Sequence, residues 1–372
     1  MIYLDYSAHT PADEKVLEHF LKYESEYLGN ANSAHSLGRK AKAEIDRITD
    51  SISSLLNVDD EIIYTSGASE SNNLALKGIA RASRHIGRHI ISTPLEHSSV
   101  SGCLTSLQEQ GYEIDLVDIK RDGTIDLEQL ADLMRNDTIM VAVCAVDSEL
   151  GTVQPIDKVA EILKSYPKCR LHIDATQAIG KAKIPFNCAD TVSLSSHKFY
   201  GINGSGLLIK RKGMAIEPLI HGGISTTIYR SGTPTLSLNA STEYALKLAM
   251  ENFDERIEIV KKHNNFLRNR LSAYKAVRIN SPQNSVPHIL NISVNGVKAK
   301  EFQNALDKRG VCVSIKSACS VEGTPSRSVF AVSKDRKNAL SSWRISLSHL
   351  TTENELNEFL NTFDDCYQEL TK

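Results

Sequence analysis

From Glu61 to Lys210 the chain switches repeatedly between short runs rich in branched apolar residues and longer segments with helical spacing. Strand-like runs fall at Ile62–Thr65, His89–Thr93, Glu113–Ile119, Thr138–Val146, Leu171–Asp174, Thr191–Ser195 and Gly206–Lys210. Helix-like segments separate most of them, at Asn72–Ala82, Ser98–Gln110, Leu127–Arg135 and Ile156–Tyr166. Parallel neighbours need a crossover, and the crossover covers the sheet face, so this alternation predicts an α/β fold with a large, mostly parallel sheet. Ligands of such sheets sit beyond the carboxyl ends of the strands, where chemistry-bearing residues are then expected.

The flanks extend the plan. Apolar residues at 37, 41, 45, 48, 52, 55 and 56 predict a helix over Leu37–Leu56, capped by Ser36 or Ser33. A stretch without Gly or Pro, about Leu238 to Leu271, predicts one long helix that links to a second unit. That unit is a small α/β domain, with strands at Ile289–Val294, Val311–Ile315 and Ser342–Ser348 and helices at Lys298–Lys308 and Glu353–Glu369. The N-terminal residues are expected to pack onto it. The division is a large domain over 16–255 and a small one from 1–15 and 256–372, which carries the segment around Cys319.

The 372 residues can bury a sizeable core, with 41% hydrophobic and 24% charged residues. A net charge of −2 gives no electrostatic basis for direct binding to nucleic acid or to an acidic membrane. No apolar run approaches the roughly 20 residues of a membrane span, and the start of the chain lacks the basic flank and apolar core of a signal peptide. Seven scattered cysteines with no Cys-x-x-Cys pair argue for reduced thiols in the cytoplasm, and against a disulfide framework or a metal site.

The chemistry gathers at strand ends. Ser195-Ser196-His197-Lys198 closes one run, and a lysine there, beside a His and hydroxyls, is placed to form a Schiff base with a carbonyl. The hydroxyls suit the phosphate of a cofactor such as pyridoxal phosphate. Asp174, 24 residues upstream, closes another run and can pair with a pyridinium N–H. Thr65 to Asn72 joins a strand to a helix N-terminus, where backbone N–H groups favour an anion. His97 follows the run ending at Thr93 and is suited to ring stacking or proton exchange. Cys319 sits among small polar residues before a stretch, Val321 to Ser328, that reads as a flexible loop, whereas Cys144 and Cys312 lie in apolar runs. Arg344 alternates with apolar neighbours and can clamp a carboxylate. Each residue also has an ordinary alternative: a surface lysine, a helix-capping aspartate, a structural histidine, an inert thiol, an ion-paired arginine. Gly201 to Gly206 precedes a strand rather than a helix, which excludes a dinucleotide fingerprint.

Together these residues resemble the cysteine desulfurases of the NifS/IscS type, a branch of the class V enzymes with the pyridoxal-phosphate-dependent, aspartate-aminotransferase-like fold. The resemblance runs nearly end to end: Leu4-Asp5-Tyr6-Ser7, Thr10-Pro11, Gly29-Asn30, His35, Thr65 to Asn73, Glu96-His97, Asp174-Ala175-Thr176-Gln177, Ser195 to Lys198, Arg230-Ser231-Gly232-Thr233, Ser317-Ala318-Cys319 and Arg344. It implies that Lys198 binds the cofactor carbonyl, Asp174 the pyridine nitrogen, and Gln177 the ring oxygen. His97 would stack on the ring, and Ser69, Ser195 and His197 would hold the phosphate. Thr233 would reach the phosphate of a neighbouring subunit, which implies a homodimer. Arg344, with Ser148 nearby, would take the substrate carboxylate, and Cys319 would accept sulfur. The implied reaction takes L-cysteine to L-alanine. Lys198 removes the Cα proton, the Cys319 thiolate attacks the substrate sulfur, and a persulfide remains for a sulfur-acceptor protein serving iron–sulfur clusters, thiolated tRNA or a thiolated cofactor.

The chain departs from the family at several points. Asp147-Ser148-Glu149 stands where the family usually has Asn-Asn-Glu, Gly223 to Ile228 replaces a Gly-rich stretch, His9 replaces a Thr, and Lys316 replaces a Gly before Ser-Ala-Cys. Lys316 is expected to lower the Cys319 pKa if its ammonium lies close. These changes suggest a specialised paralogue that serves one acceptor. The competing readings are a selenocysteine lyase or other lyase of β-substituted amino acids, and a cofactor-binding partner with little catalysis of its own.

Overall fold

The structure is a computed structural model that describes residues 1–316 and 323–371. Its larger sheet has seven strands in the spatial order Glu61–Thr65, Gly206–Lys210, Thr191–Ser195, Arg170–Asp174, Thr138–Cys144, His89–Ser92, Glu113–Leu116. All neighbours run parallel except Gly206–Lys210, which is antiparallel to both strands beside it. The interior strand Thr138–Cys144 is buried at every position, as expected of a parallel strand covered on both faces. One apolar cluster fills each face: Ile48, Ile52, Val141, Val143, Leu171 and Leu194 belong to one, Leu74, Ile79, Ile90, Leu104 and Met140 to the other.

The helix Ser36–Leu56 follows its predicted periodicity, burying Ala41, Ile45, Ile48, Ile52 and Leu56 along one stripe. Its cap is neither Ser33 nor Ser36. His35 takes that role, its Nδ1 accepting from the Gly38 backbone N–H at 3.2 Å. The stretch predicted as one long helix is two, Leu236–Glu251 and Phe253–Leu271. At Asn252 the backbone turns to φ −101°, ψ 14°, and the side-chain amide donates to the Leu248 carbonyl at 2.8 Å. A short polar side chain that bonds the backbone ends a helix without Gly or Pro.

A smaller antiparallel sheet joins Ser342–Ser346, Ile289–Val294 and Val277–Ile279, the last unpredicted. Phe302, Trp343 and Phe363 pack beneath it with ring centroids 5.1–6.2 Å apart. Ile2–Tyr3 pairs in parallel with Val311–Cys312, and Cys312 is half-buried rather than a core thiol. Ser328 is helical: Arg327–Ser333 is a short helix whose cap, Ser326 Oγ, accepts from the Val329 N–H, so the flexible reading of this stretch is wrong at its C-terminal end. No helix among the described residues is long and apolar enough to cross a membrane.

Candidate active site

A cavity of about 370 Å³ opens at the carboxyl ends of the central strands. It gathers Ser69, His97, Ser148, Asp174, Gln177, Ser195, His197, Lys198 and Arg344 from six stretches of sequence. Thr233 is exposed and lies outside the cavity lining. Cys319 lies outside the described residues.

Lys198 leaves the end of strand Thr191–Ser195 through a single 3-10 turn. Its Nζ donates to the carbonyls of Ser7 at 2.8 Å and Ala8 at 2.6 Å. The N-terminal segment is itself pinned here: Thr10 Oγ1 donates to the His197 carbonyl at 2.9 Å, and the Ser7 N–H donates to Ser346 Oγ at 3.0 Å.

Asp174 ends the adjacent strand. Its Oδ2 accepts from Asn72 Nδ2 at 2.8 Å and its Oδ1 from the Thr176 N–H at 3.0 Å. Behind Asn72 stands His172, whose Nε2 lies 3.0 Å from Asn72 Oδ1 and whose Nδ1 lies 2.9 Å from Thr191 Oγ1. Burial pushes the His172 imidazole down to about 4, so it is neutral. A neutral ring donates through one nitrogen and accepts through the other. The Thr191 hydroxyl therefore donates to His172, His172 to the Asn72 oxygen, and the Asn72 amide to Asp174. The sequence reading missed this relay. Its one legible sign is period-2 spacing, which puts His172 and Asp174 on the same face of one strand.

The small-residue loop works as a cradle. Gly67 adopts φ +151°, a conformation that L side chains rarely take, and caps the helix Ala68–Ala82. Gly206 lies between Thr65 and Ser195 in the sheet, and a Cβ there would come within 2.5 Å of the Gly67 Cα. The two strand ends approach only because that side chain is missing. Ser195 Oγ lies 2.9 Å from His197 Nδ1. Burial, then the Lys198 ammonium, pushes His197 down to about 4. Glu70, in the helix's first turn, is held by the Ser66 N–H at 2.7 Å and by Arg230 Nε at 2.9 Å. Arg230 thus ties the 230–233 segment to the cavity wall.

His97 caps the helix Ser98–Gln108, its Nδ1 taking the Ser99 N–H at 3.2 Å. Burial lowers its pKa and favours the neutral ring. Arg344, only 2% exposed, donates from Nη1 to the Ser148 carbonyl at 2.6 Å and from Nη2 to Asp5 Oδ1 at 2.9 Å. The Ser148 contact is thus through its backbone. Beside it, Asp147 and Glu149 are both buried carboxyls. Asp147 Oδ2 accepts from the Glu149 and Leu150 N–H groups, and its Oδ1 accepts from Ser328 Oγ at 2.8 Å. Burial, then the Glu149 carboxylate, pushes Asp147 up to about 7. Glu149 accepts from Ser326 Oγ, and burial raises its pKa too. Lys316 donates to the Thr324 carbonyl at 2.9 Å and hydroxyl at 2.6 Å.

The chain matches the family described as Aminotransferase class-V over residues 2–359. It is 34% identical to a "NifS/IcsS protein homolog" of Lactobacillus delbrueckii subsp. bulgaricus, covering 100% of this chain and 98% of that one. It is 35% identical to a "Cysteine desulfurase IscS" of Dictyoglomus turgidum, covering 99% and 95%. A solved structure titled "NIFS-LIKE PROTEIN" superposes with a TM-score of 0.93 at 32% identity, covering 99% of this chain and 100% of that one. The chain belongs to the class V aminotransferase family, whose enzymes use pyridoxal phosphate.

The cavity fits that cofactor. Its polar wall keeps unused capacity: among the described residues, Arg344 Nε, Thr176 Oγ1 and Ser7 Oγ are buried without a hydrogen-bond partner. A helix N-terminus beside Ser69 and Ser195 suits a phosphate. A carboxylate, Asp174, and a lysine, Lys198, both line the cavity, as a ring with a basic nitrogen and a carbonyl requires.

Proposed function

We propose that this cavity is the active site of a pyridoxal-phosphate-dependent cysteine desulfurase, which converts L-cysteine to L-alanine and leaves the sulfur as a persulfide on Cys319. The observation that carries the reading is the convergence of Lys198, Asp174, His97 and Arg344 on one cavity beside a helix N-terminus. The bound cofactor supplies a carbonyl for the substrate amine and a ring that withdraws electrons from Cα.

The chain's own groups do the rest. Asp174, fixed by Asn72 and Thr176, would pair with the ring nitrogen and favour a proton there. Ser69, Ser195 and His197 would hold the phosphate, and His97 would face the ring. Arg344 takes the substrate carboxylate beside Ser148, already oriented by Asp5. Lys198 is the base for the Cα proton. The Cys319 thiolate then attacks the substrate sulfur: an S–S bond forms, the substrate C–S bond breaks, and its electron pair goes to Cβ, which takes a proton to become the alanine methyl.

Finer readings rest on the resemblance. Thr233, exposed on the segment that Arg230 anchors, is assigned to the cofactor phosphate of a second subunit in a homodimer. The product sulfur passes to an acceptor protein in the cytoplasm, without direct contact with nucleic acid or membrane. The altered 147–148 and 223–228 segments assign the enzyme to one acceptor rather than to general supply.

The test compares wild type with Cys319→Ala, both loaded with cofactor, given L-cysteine and a thiol reductant. Wild type is expected to release alanine and sulfide, and the variant to keep its cofactor absorbance and lose both products. Turnover of selenocysteine or cysteine sulfinate in place of cysteine, retained in Cys319→Ala, would move the enzyme to the lyase reading. A cofactor-loaded wild type that releases no alanine from any of them would reduce it to a binding partner.

A further inference from the structure

Lys181 has no place in the chemistry above, yet it lies directly behind the cavity wall. It is 8% exposed, and its Nζ donates to Gln177 Oε1 at 2.6 Å. Gln177 lines the cavity and donates from Nε2 to the Ser7 carbonyl at 2.9 Å. The same carbonyl accepts from Lys198 at 2.8 Å. An amine at this position donates and a carbonyl only accepts, so both contacts demand the same orientation of the carboxamide. One N–H of Gln177 is spent on Ser7. The second has no protein acceptor among the described residues.

The position is costly for a lysine. Burial, then the Lys198 and Arg344 cations, pulls its pKa down to about 7. The remaining titratable neighbours are His197 and His288, whose pKa values burial lowers first and the Lys181 charge lowers further, leaving neutral rings. No carboxylate is bonded to Lys181 among the described residues, so the Gln177 oxygen is its partner. An amine held among cations and neutral imidazoles contributes little to stability.

We propose that Lys181 is a positioning residue for the bound cofactor: through Oε1 it holds the Gln177 carboxamide so that an N–H, and not the carbonyl oxygen, is presented to the cofactor's anionic ring oxygen. This rests on the reading that Gln177 faces that oxygen. Without Lys181 the carboxamide oxygen is buried unpaired, and a donor of the cavity lining, such as Lys198 Nζ, is left to draw it. Turning toward it sets an acceptor against an acceptor. An N–H at the ring oxygen stabilises the deprotonated form of the bound cofactor, so its loss raises the pH at which the visible absorption band changes.

The experiment titrates the visible band of four holoproteins: wild type, Lys181→Met, Gln177→Leu and the double variant. Lys181→Met and Gln177→Leu are each expected to raise the midpoint by about one pH unit, the size of one lost hydrogen bond to a charged group. The double variant is expected to match Gln177→Leu to within about 0.3 unit, because Lys181 acts through that side chain. A Lys181→Met midpoint equal to wild type overturns the inference, and so do fully additive shifts, which would assign the effect to charge alone. If Lys181→Met does not fold as holoprotein, Lys181→Arg replaces it: a midpoint at the wild-type value supports the donor role, and one at the Gln177→Leu value overturns it. A wild type with no cofactor band overturns the cofactor reading first, an outcome distinct from both.

Discussion

Asp147 shows how one side chain can set a pH dependence. Unfolded, an aspartate gives up its proton near pH 4, whereas in the fold it holds the proton up to about 7. Between those values the native state carries the extra proton, so stability falls as pH rises, and above pH 7 the full cost of burying the charge remains. Asn at this position keeps an oxygen for the two backbone N–H groups and can donate to Ser328 Oγ. Asp147→Asn is therefore expected to leave stability near pH 4 unchanged and to raise it by roughly 1–3 kcal/mol at pH 8. Urea unfolding at the two pH values checks it, and an equal gain at both would show that charge burial is not the cause. The two carboxyls act locally as well, since Ser326, which caps the helix Arg327–Ser333, and Ser328 in its first turn donate to Glu149 and Asp147.

At the scale of elements, the strands were legible because Val, Ile and Leu concentrate in them, and Asp174 and Lys198 were legible because one ends a strand and the other closely follows one. What escaped was what lacks local pattern. The helix over Ala68–Ala82 starts four residues before its first predicted residue, since Ala68-Ser69-Glu70-Ser71 carries little apolar periodicity. Asn72 and His172 are 100 residues apart in sequence, and Lys181 reads as one more surface lysine until the fold buries it. The glycine pair at 67 and 206 is likewise a tertiary device. Gly206→Ala forces apart the loop proposed to hold the phosphate, since its Cβ would meet the Gly67 backbone and the Leu194 carbonyl. Cofactor affinity is expected to fall at least about tenfold, worth ~1.4 kcal/mol, in a fluorescence titration of the apoprotein. Unchanged affinity would show that the 65–67 loop does not hold the phosphate.

For the whole molecule, the exposed surface is informative. Ile224 and Ile228 are 78% and 65% exposed on the segment that leads to Thr233. Large apolar residues left in water on a segment tied to the cavity by Arg230 suit burial against a second copy. Ile224→Asp with Ile228→Asp is expected to shift the protein from dimer to monomer in sedimentation, with loss of cofactor affinity where Thr233 is shared. A wild-type monomer would remove Thr233 from the site. The first ten residues, finally, are bound to parts of the chain made much later: Asp5 to Arg344, Ser7 to Lys198 and Ser346, Thr10 to His197. Translation proceeds at roughly 5–20 residues per second, so this segment must wait tens of seconds for its last partner. During synthesis the large sheet can assemble while that strap still has nothing to close on. The pocket therefore becomes competent only once Arg344 and Ser346 have been made, and a nascent chain arrested before Arg344 should be unable to retain its cofactor.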